Sequence, residues 1–537
     1  MRKLQDLKAS NVSFREIMDI SQLNPLRTLY MEDCKMHEVR GLDKLIYLES
    51  LIIRMCHSIE RLDLPKSKNL KIMRVEDCQN IVEIQSLNRL EFLEELKINL
   101  CPSIERLDLT KFEGIKILYI DCENLVEIQG LNRLKFLENL RIDACKIEKL
   151  DVPKGLKIIC YRTKDPLRKS ERLDRLTMLK NVEFCSAHSS EKRSRDGCRI
   201  QGLDRMMLLD SLHISLVSIE RLDLSKSNGL RTLHLEYCEN LVEIQGLNKL
   251  KFLREIIIVE CNAIEQLDLS NSKGLEEIKI FSCNAIKRLD LAKSEGLKFL
   301  REIDIRFCYA IEQLDLSKSE GLKILYVHEC KNLVEIQGLD KLEFLEDLRI
   351  YVCTSLVRLP NLCCFDTLQS LEIRNCDKLH DIQNLERLTS CKTLSICNCK
   401  FLAKLPNLSN FHNLQCLSLL YCDELREIPG LEKLTSLRFI VILKCWSIEI
   451  LPDFSSCTNL VSLIVQDCVK LTELQGLEKL QQLVELDISG CKSLKTIPEL
   501  SRGRLYQNYE LKLGAMLVGE ARKSIIGVET VGTICIS

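Results

Sequence analysis

The chain has 537 residues and carries 77 lysines and arginines against 78 aspartates and glutamates, so its formal net charge is -1. This balance excludes the broad basic field with which many proteins hold nucleic acid. Hydrophobic residues make up 46% of the chain and prolines number only 10, which excludes a disordered sequence. No apolar run of about 18 residues occurs, so we expect no membrane contact.

The first residues contain no apolar signal sequence, and we expect 1–20 to form a cap or a partial repeat. From there a cysteine recurs about every 23 residues in a fixed hydrophobic pattern, as in Leu345, Leu348, Ile350 and Cys353. A period of about 20–29 residues is typical of a leucine-rich-repeat solenoid. The cysteines at this position are Cys34, Cys56, Cys78, Cys101, Cys122, Cys145, Cys238, Cys261, Cys283, Cys308, Cys330, Cys353, Cys376, Cys399, Cys422, Cys445, Cys468 and Cys491.

The repeats are interrupted once before the chain ends. We expect regular repeats over 21–160, degenerate basic repeats or an insertion over 161–205, and regular repeats again over 206–500. The gap between Cys145 and Cys238 holds three predicted degenerate repeats, which begin at Leu156, Leu179 and Leu209. The total is about 21 repeats. The final 501–537 form a tail without the repeat.

Within each repeat, apolar and other residues alternate over a short stretch, which predicts a strand with its apolar side chains pointing inward. Strands of successive repeats should pair in parallel and line a concave face. The remaining dozen or so residues are too few for a long helix, so we expect irregular or 3-10 segments on the convex face. The predicted fold is therefore an α/β leucine-rich-repeat solenoid with a curved parallel sheet.

The repeated cysteines form a predicted ladder of thiols. Neighbouring strands lie about 5 Å apart, and disulfides between rungs would be strained. We therefore expect free, buried thiols, which are typical of a reducing compartment. This favours the cytoplasm or the nucleus.

Motifs for chemistry are absent from the sequence. It has no phosphate-binding loop, no dinucleotide-binding glycine pattern, no zinc-protease motif and no nucleophile elbow. The eight histidines are scattered. We therefore predict no enzyme activity, no catalytic residues, no cofactor and no metal site, and we look instead for a binding surface.

Outward-facing strand residues lie two and four positions before each ladder cysteine. Between 279 and 351 they mix aromatic rings with both signs of charge, which is typical of protein interfaces. Further on, the same positions carry a contiguous apolar row that begins at Cys397. The predicted partner-binding residues on the concave face are Lys279, Phe281, Asp304, Arg306, Tyr326, His328, Arg349, Tyr351, Leu420, Val441 and Leu443.

The C-terminal repeats, NLVSLIVQDCVKLTELQGLEKLQQLVELDISGCKSLKTIPEL at 459–500, resemble the leucine-rich-repeat region of plant intracellular disease-resistance proteins. The resemblance is to the class with a Toll/interleukin-receptor domain and a nucleotide-binding switch, and it covers about 20–500. It implies recognition of a pathogen effector or of a guarded host protein, and restraint of the switch domain in cis or in trans, in plant defence.

The resemblance does not extend to the switch itself, because these residues hold neither the phosphate-binding loop nor the signalling domain of such receptors. Nucleotide binding is therefore not expected of this chain. Two other readings stay open at this point. One is a repeat-only interaction scaffold, either a decoy or a ubiquitin-ligase-type substrate adaptor, and the other is a truncated receptor fragment.

Overall fold

The computed structural model divides into two compact units, Met1–Ile264 and Glu265–Ser537, which are described one at a time. Each unit is a stack of repeats in which one long strand per repeat joins a parallel sheet. The structure describes residues 4–12, 17–64, 69–85, 90, 92–112, 114–145, 147, 152–153, 155–163, 171–172, 179–186, 200–201, 205–215, 219–291, 297–359, 362, 366–382, 385 and 388–495.

In the first unit, 12 long strands form a sheet that we call the main sheet of that unit. Each strand pairs in parallel with the next in chain order. The strands are Asp6–Ser10, Thr28–Glu32, Ser50–Arg54, Ile72–Glu76, Glu95–Asn99, Ile117–Asp121, Asn139–Cys145, Ile158–Thr163, Asn181–Ser186, Ser211–Ser215, Thr232–Glu236 and Glu255–Val259.

The second unit has a main sheet of 10 described strands with the same parallel pairing. These strands are Glu277–Phe281, Glu302–Arg306, Ile324–His328, Asp347–Tyr351, Ser370–Arg374, Thr393–Cys397, Cys416–Leu420, Phe439–Leu443, Ser462–Gln466 and Glu485–Asp487. The predicted leucine-rich-repeat solenoid is therefore confirmed.

Alternation of side chains decides which residues enter the core. In strand Asp347–Tyr351, Leu348 and Ile350 are fully buried, while Asp347, Arg349 and Tyr351 are half-buried on the other side. Nearly every long strand repeats this pattern because successive side chains of a strand point to opposite faces. Fully burying one leucine side chain stabilises the fold by about 1.5–3 kcal/mol, so the stacked apolar residues hold the solenoid together.

The return segments contain 3-10 turns, as predicted, and no α-helix within the described ranges. They also contain short outer strands that the sequence analysis did not anticipate. The 3-10 helices are Leu42–Lys44, Leu131–Arg133, Leu247–Lys249, Leu339–Lys341, Leu431–Lys433, Phe454–Ser456 and Leu477–Lys479. The outer strands are Ile17–Asp19, Glu38–Arg40, Arg61–Asp63, Glu83–Gln85, Arg106–Asp108, Glu127–Gln129, Glu171–Arg172, Ile200–Gln201, Arg221–Asp223, Glu243–Gln245, Arg288–Asp290, Gln313–Asp315, Glu335–Gln337, Arg358–Leu359 and Asp381–Ile382.

The ladder cysteines whose side chains the structure describes are free thiols, and all of them are buried except the half-buried Cys491. A representative thiol, on Cys101, lies 3.3 Å from the carbonyl oxygen of Asn99 and 3.8 Å from that of Val75 in the preceding repeat. Burial raises the pKa of the Cys101 thiol to about 11. These thiols therefore pack as small apolar groups that donate weak hydrogen bonds.

The three degenerate repeats predicted in the gap are confirmed as strands Ile158–Thr163, Asn181–Ser186 and Ser211–Ser215. They keep the parallel register of the first unit although they lack the regular cysteine. Most of the basic 161–205 segment and the whole 501–537 tail lie outside the described residues. In the described part of the chain, no helix is both long and apolar enough to cross a membrane.

Candidate protein-binding surface

Eight of the predicted residues lie on four adjacent strands of the second unit. The register places Lys279, Asp304, Tyr326 and Arg349 in one lane across the strands. A second lane holds the other four. We call the two lanes together the polar–aromatic patch, and its members are Lys279, Phe281, Asp304, Arg306, Tyr326, His328, Arg349 and Tyr351.

Guanidinium groups stack on aromatic rings across the patch. The guanidinium carbon of Arg306 lies 5.4 Å from the centroid of the Phe281 ring, and that of Arg349 lies 4.9 Å from the Tyr326 ring. Cation–π contacts of this kind contribute about 0.5–1 kcal/mol at exposed sites. The aromatic and basic groups of the patch are therefore held by one another before any partner arrives.

Carboxylates beneath these pairs fix their orientation. Asp304 is only 3% exposed, and its two oxygens accept bonds from Nε and Nη2 of Arg306 at 2.8 and 2.7 Å. Bidentate pairs of this kind are geometrically specific. Asp304 therefore positions Arg306 and offers little surface of its own.

The structure reveals a continuation of the network into the next repeat. Glu372 is 1% exposed and accepts a 2.5 Å hydrogen bond from the Tyr351 hydroxyl. Nη2 of Arg374 donates to the same carboxylate at 2.8 Å, and Nε of Arg349 lies 3.6 Å from it. In the preceding repeat, the Tyr326 hydroxyl donates to Asp347 at 3.0 Å.

Asp347, Glu372 and Arg374 were missed by the sequence analysis. The predicted patch is limited to residues two and four positions before a ladder cysteine and ends at Tyr351, whereas Asp347 lies six positions before Cys353. A comparison of opposite charges on aligned strands would have found Glu372, because it faces Arg349 on the adjacent strand of the sheet.

Burial changes how two groups of the patch titrate. It lowers the pKa of His328, so the imidazole is neutral at pH 7. It also raises the pKa of Tyr326 to about 12, with a further contribution from the Asp347 charge, so the phenol stays protonated. The His328 ring packs edge-on against Tyr351, with centroids 5.8 Å apart. The imidazole of His328 and the phenol of Tyr326 therefore both stay uncharged around neutral pH.

Lys279 lies at one end of the patch between two carboxylates. Its ammonium contacts Glu277 on the same strand, and it lies 3.9 Å from Glu302 on the next strand. All three side chains are roughly one-third exposed. The patch thus ends in a charged cluster that remains open to solvent.

The predicted apolar residues lie further along the same sheet. Leu420 and Leu443 face each other on adjacent strands, and Val441 lies between Ser418 and Ile464. The strip also includes Phe439, which is half-buried under the guanidinium of Arg438. We call Leu420, Phe439, Val441, Leu443 and Ile464 the apolar strip. It contains apolar side chains that are half-exposed on a face where neighbouring repeats carry charges.

The polar groups of the patch are held by contacts within the sheet. Among the described residues, the Tyr326 and Tyr351 hydroxyls are hydrogen-bonded to carboxylates, and the His328 ring packs against Tyr351. Within the described ranges, no group of three His, Cys, Asp or Glu side chains is arranged to hold a metal ion. The arrangement is suited to binding another molecule through shape, aromatic contact and paired charges.

No protein-family model matches this chain, and no curated protein matches it. Among solved structures, it resembles the functional domain of InlJ from Listeria monocytogenes, which includes a cysteine ladder. The identity there is 17%, with 72% of this chain and 69% of that chain covered and a TM-score of 0.40. A leucine-rich-repeat protein of Leptospira interrogans shows 17% identity, coverage of 67% and 86%, and a TM-score of 0.43.

A plant peptide hormone receptor, solved in complex with RGF2, shows 14% identity, coverage of 91% and 90%, and a TM-score of 0.32. Each of these likenesses is one of repeat architecture alone. The period of about 23 residues, the parallel main sheets and the buried apolar ladders define this chain as a leucine-rich-repeat solenoid.

Proposed function

We propose that this chain is the protein-recognition region of an intracellular plant immune receptor. In this proposal the second unit binds a pathogen effector or a guarded host protein, and the repeats restrain a nucleotide-binding switch domain in cis or in trans. The proposed compartment is the cytoplasm or the nucleus. Support comes from the resemblance of 459–500 to such receptors, together with the surface of the second unit.

The observation that carries the binding role is the pre-organisation of the polar–aromatic patch. Arg306 and Arg349 are already stacked on rings and bonded to the buried Asp304 and the half-buried Asp347, so few rotamers need to be frozen on binding. Each immobilised long side chain otherwise costs about 0.5–1.5 kcal/mol on association. Tyrosine and arginine held in this way are the side chains that most often dominate interface energies.

The apolar strip adds a second kind of contact to the same sheet. Leu420, Val441 and Ile464 present partly exposed apolar groups on three successive strands. A partner that covers both surfaces would present acidic and aromatic groups to the patch and an apolar segment to the strip. Proteins offer this combination over a span of several strands, whereas small metabolites do not.

The test uses the full chain with the triple substitution Phe281→Ala, Arg306→Ala and Tyr351→Ala. Co-expressed in leaf tissue with an autoactive switch domain of the same receptor class, the unaltered chain should co-precipitate with it and suppress cell death. The triple variant should lose binding to an effector or guarded protein. Its circular dichroism should match that of the unaltered chain, because Phe281, Arg306 and Tyr351 lie outside the apolar core.

Phe401→Ala is the matched control, because Phe401 is 53% exposed in the second unit and lies on a turn rather than on the main sheet. If neither the switch domain nor effectors bind the unaltered chain, the immune-receptor role is wrong. Binding of a ubiquitin-ligase subunit in that experiment would instead establish the adaptor role.

A further inference from the structure

Exposed aromatic rings recur along one edge of the main sheet in the first unit. Tyr47, Phe92 and Phe136 each lie four residues before the first buried residue of a long strand. Their exposed fractions are 52%, 54% and 60%. We call these three residues the aromatic row. Phe252 has the same position but lies five strands beyond Phe136, so it stands apart from the row. Single exposed rings are ordinary, but three on alternate strands of one edge form a surface.

The three rings are held in equivalent positions by the backbone. A tight turn encloses each of them, with the amide of Leu137 bonded to the carbonyl of Leu134 around Phe136, and equivalent bonds around Tyr47 and Phe92. Two residues after the ring, the chain bonds to the preceding repeat, as in Glu138 to Lys116. The row therefore follows the spacing of the strands.

The repeats between the rings carry no ring at this position. They have Asn69 and Gly114 instead, so each ring stands two strands from the next. Strands lie about 4.7–4.9 Å apart, which separates the rings by about 9.5 Å. Tyr47 and Phe136 are then about 19 Å apart.

This spacing distinguishes between peptide conformations. A polyproline II helix turns once every three residues and rises about 9.3 Å per turn, so two turns cover about 18.6 Å. Two heptads of an α-helix cover about 21 Å, and same-face residues of a strand recur every 7 Å or so. Only the polyproline II repeat matches the spacing of all three rings to within about 1 Å.

Charge contributes little beside the row. The basic and acidic residues next to it already pair with each other, Arg27 with Glu49 at 3.1 Å and Lys116 with Glu94 at 2.8 Å. The rings themselves offer a ligand aromatic surface and the Tyr47 hydroxyl. Aromatic-lined grooves are the surfaces on which proline-rich segments dock, because a polyproline II chain is already extended and loses little entropy.

We propose that the aromatic row of the first unit binds a proline-rich peptide segment in the polyproline II conformation, with a proline at every third position against a ring. This site is separate from the polar–aromatic patch and the apolar strip, and it does not depend on the function proposed for them. The partner is therefore a protein with a proline-rich segment of about seven residues or more, since six intervals of about 3.1 Å span the row.

The second unit contains a natural comparison. At the same position it has exposed Phe299 and Phe344 with Gly321 between them, but the next repeats carry Thr367 and Ser390. The Thr367 hydroxyl donates to the Glu343 carbonyl at 2.9 Å, so it is turned toward the backbone. Within this unit, the two rings make one interval of this spacing rather than two.

The test titrates a fluorescein-labelled decaproline peptide with the full chain and follows anisotropy. A glycine–serine peptide of equal length is the ligand control. Phe92→Ala removes the central ring and should weaken decaproline binding by about 10-fold, with a smaller loss for Phe136→Ala. The control Phe401→Ala should bind as the unaltered chain does.

Three results would each overturn the proposal: no saturable decaproline binding up to about 1 mM, equal binding of the glycine–serine peptide, or unchanged affinity in both Phe92→Ala and Phe136→Ala. Tighter binding of a helical peptide with leucine at heptad spacing would also overturn it. The triple variant of the polar–aromatic patch should retain decaproline binding, which separates this result from the fate of the immune-receptor proposal.

Discussion

Replacing Val352 with asparagine should stabilise the second unit. Val352 precedes a ladder cysteine and has a φ of 56°, in the left-handed region that β-branched residues avoid. The same turn recurs in most described repeats, and the next two place Asn375 and Asn398 at this position with φ values of 55° and 51°. The Nδ2 of Asn398 donates to Oδ1 of Asn375 at 2.8 Å.

The expected gain has two parts. The left-handed conformation destabilises a residue other than glycine or asparagine by roughly 1–2 kcal/mol, and asparagine avoids part of this loss. An asparagine at 352 would also lie one repeat before Asn375 and could extend the amide pair, for which a net hydrogen bond contributes about 0.5–1.5 kcal/mol. Loss of the half-buried valine contacts offsets some of this, so Val352→Asn should raise the free energy of unfolding by about 1 kcal/mol.

Native-state hydrogen exchange is the suitable assay because long repeat arrays do not unfold in one step. Slowly exchanging amides in strands Asp347–Tyr351 and Ser370–Arg374 should slow about five-fold. Val441→Asn is the matched control, since Val441 lies on a strand and makes half-buried apolar contacts, and it should speed exchange nearby. Exchange in Val352→Asn as fast as in the unaltered chain would refute the strain argument.

Two further predictions concern a glycine and a thiol. Gly338→Ala should lower the free energy of unfolding by about 2 kcal/mol or more, because its φ is 76° and an added Cβ would lie 2.3 Å from the backbone nitrogen of Ser317. Gly229→Ala, whose Cβ would meet only the Leu209 carbonyl at 3.6 Å, should be close to neutral when both variants are compared by native-state hydrogen exchange. A hydrogen bond from the Cys468 thiol lowers the pKa of the Cys491 thiol to about 7, whereas burial raises that of Cys78 to about 12. Because thiolates react and thiols do not, iodoacetamide at pH 8 should label Cys491 well before Cys78 by peptide mass spectrometry. The rate at Cys491 should fall as the pH drops through 7, and equal labelling of both sites would contradict the assignment.

Most of the fold could be predicted because the repeat forces one local structure many times. The pattern around Leu348 and Ile350 predicts a strand with these two residues inside, and both are fully buried. The same reasoning found strands at Leu179 and Leu209, where the cysteine is missing. The short outer strands were not predicted, because segments such as Arg288–Asp290 are too short to carry a periodic signal.

The candidate surface was predicted only in outline. Strand phase placed Tyr326 and Tyr351 on the exposed face, but not the partners of their hydroxyl groups, Asp347 and Glu372. Those partners are 21 residues away in sequence, and pairing across strands depends on register and rotamer. Whether this surface binds the predicted partners stays a prediction.

The amino-acid sequence by itself determined the repeat, its period and the division of each strand into a buried and an exposed side, because these follow from local alternation and the burial of apolar groups. Only the tertiary structure decided which exposed side chains meet. It buried Asp304 beneath Arg306, placed Glu372 among two arginines and a tyrosine, and aligned Tyr47, Phe92 and Phe136 along one edge. Such contacts join residues from different repeats, so they arise only once the strands stack in register.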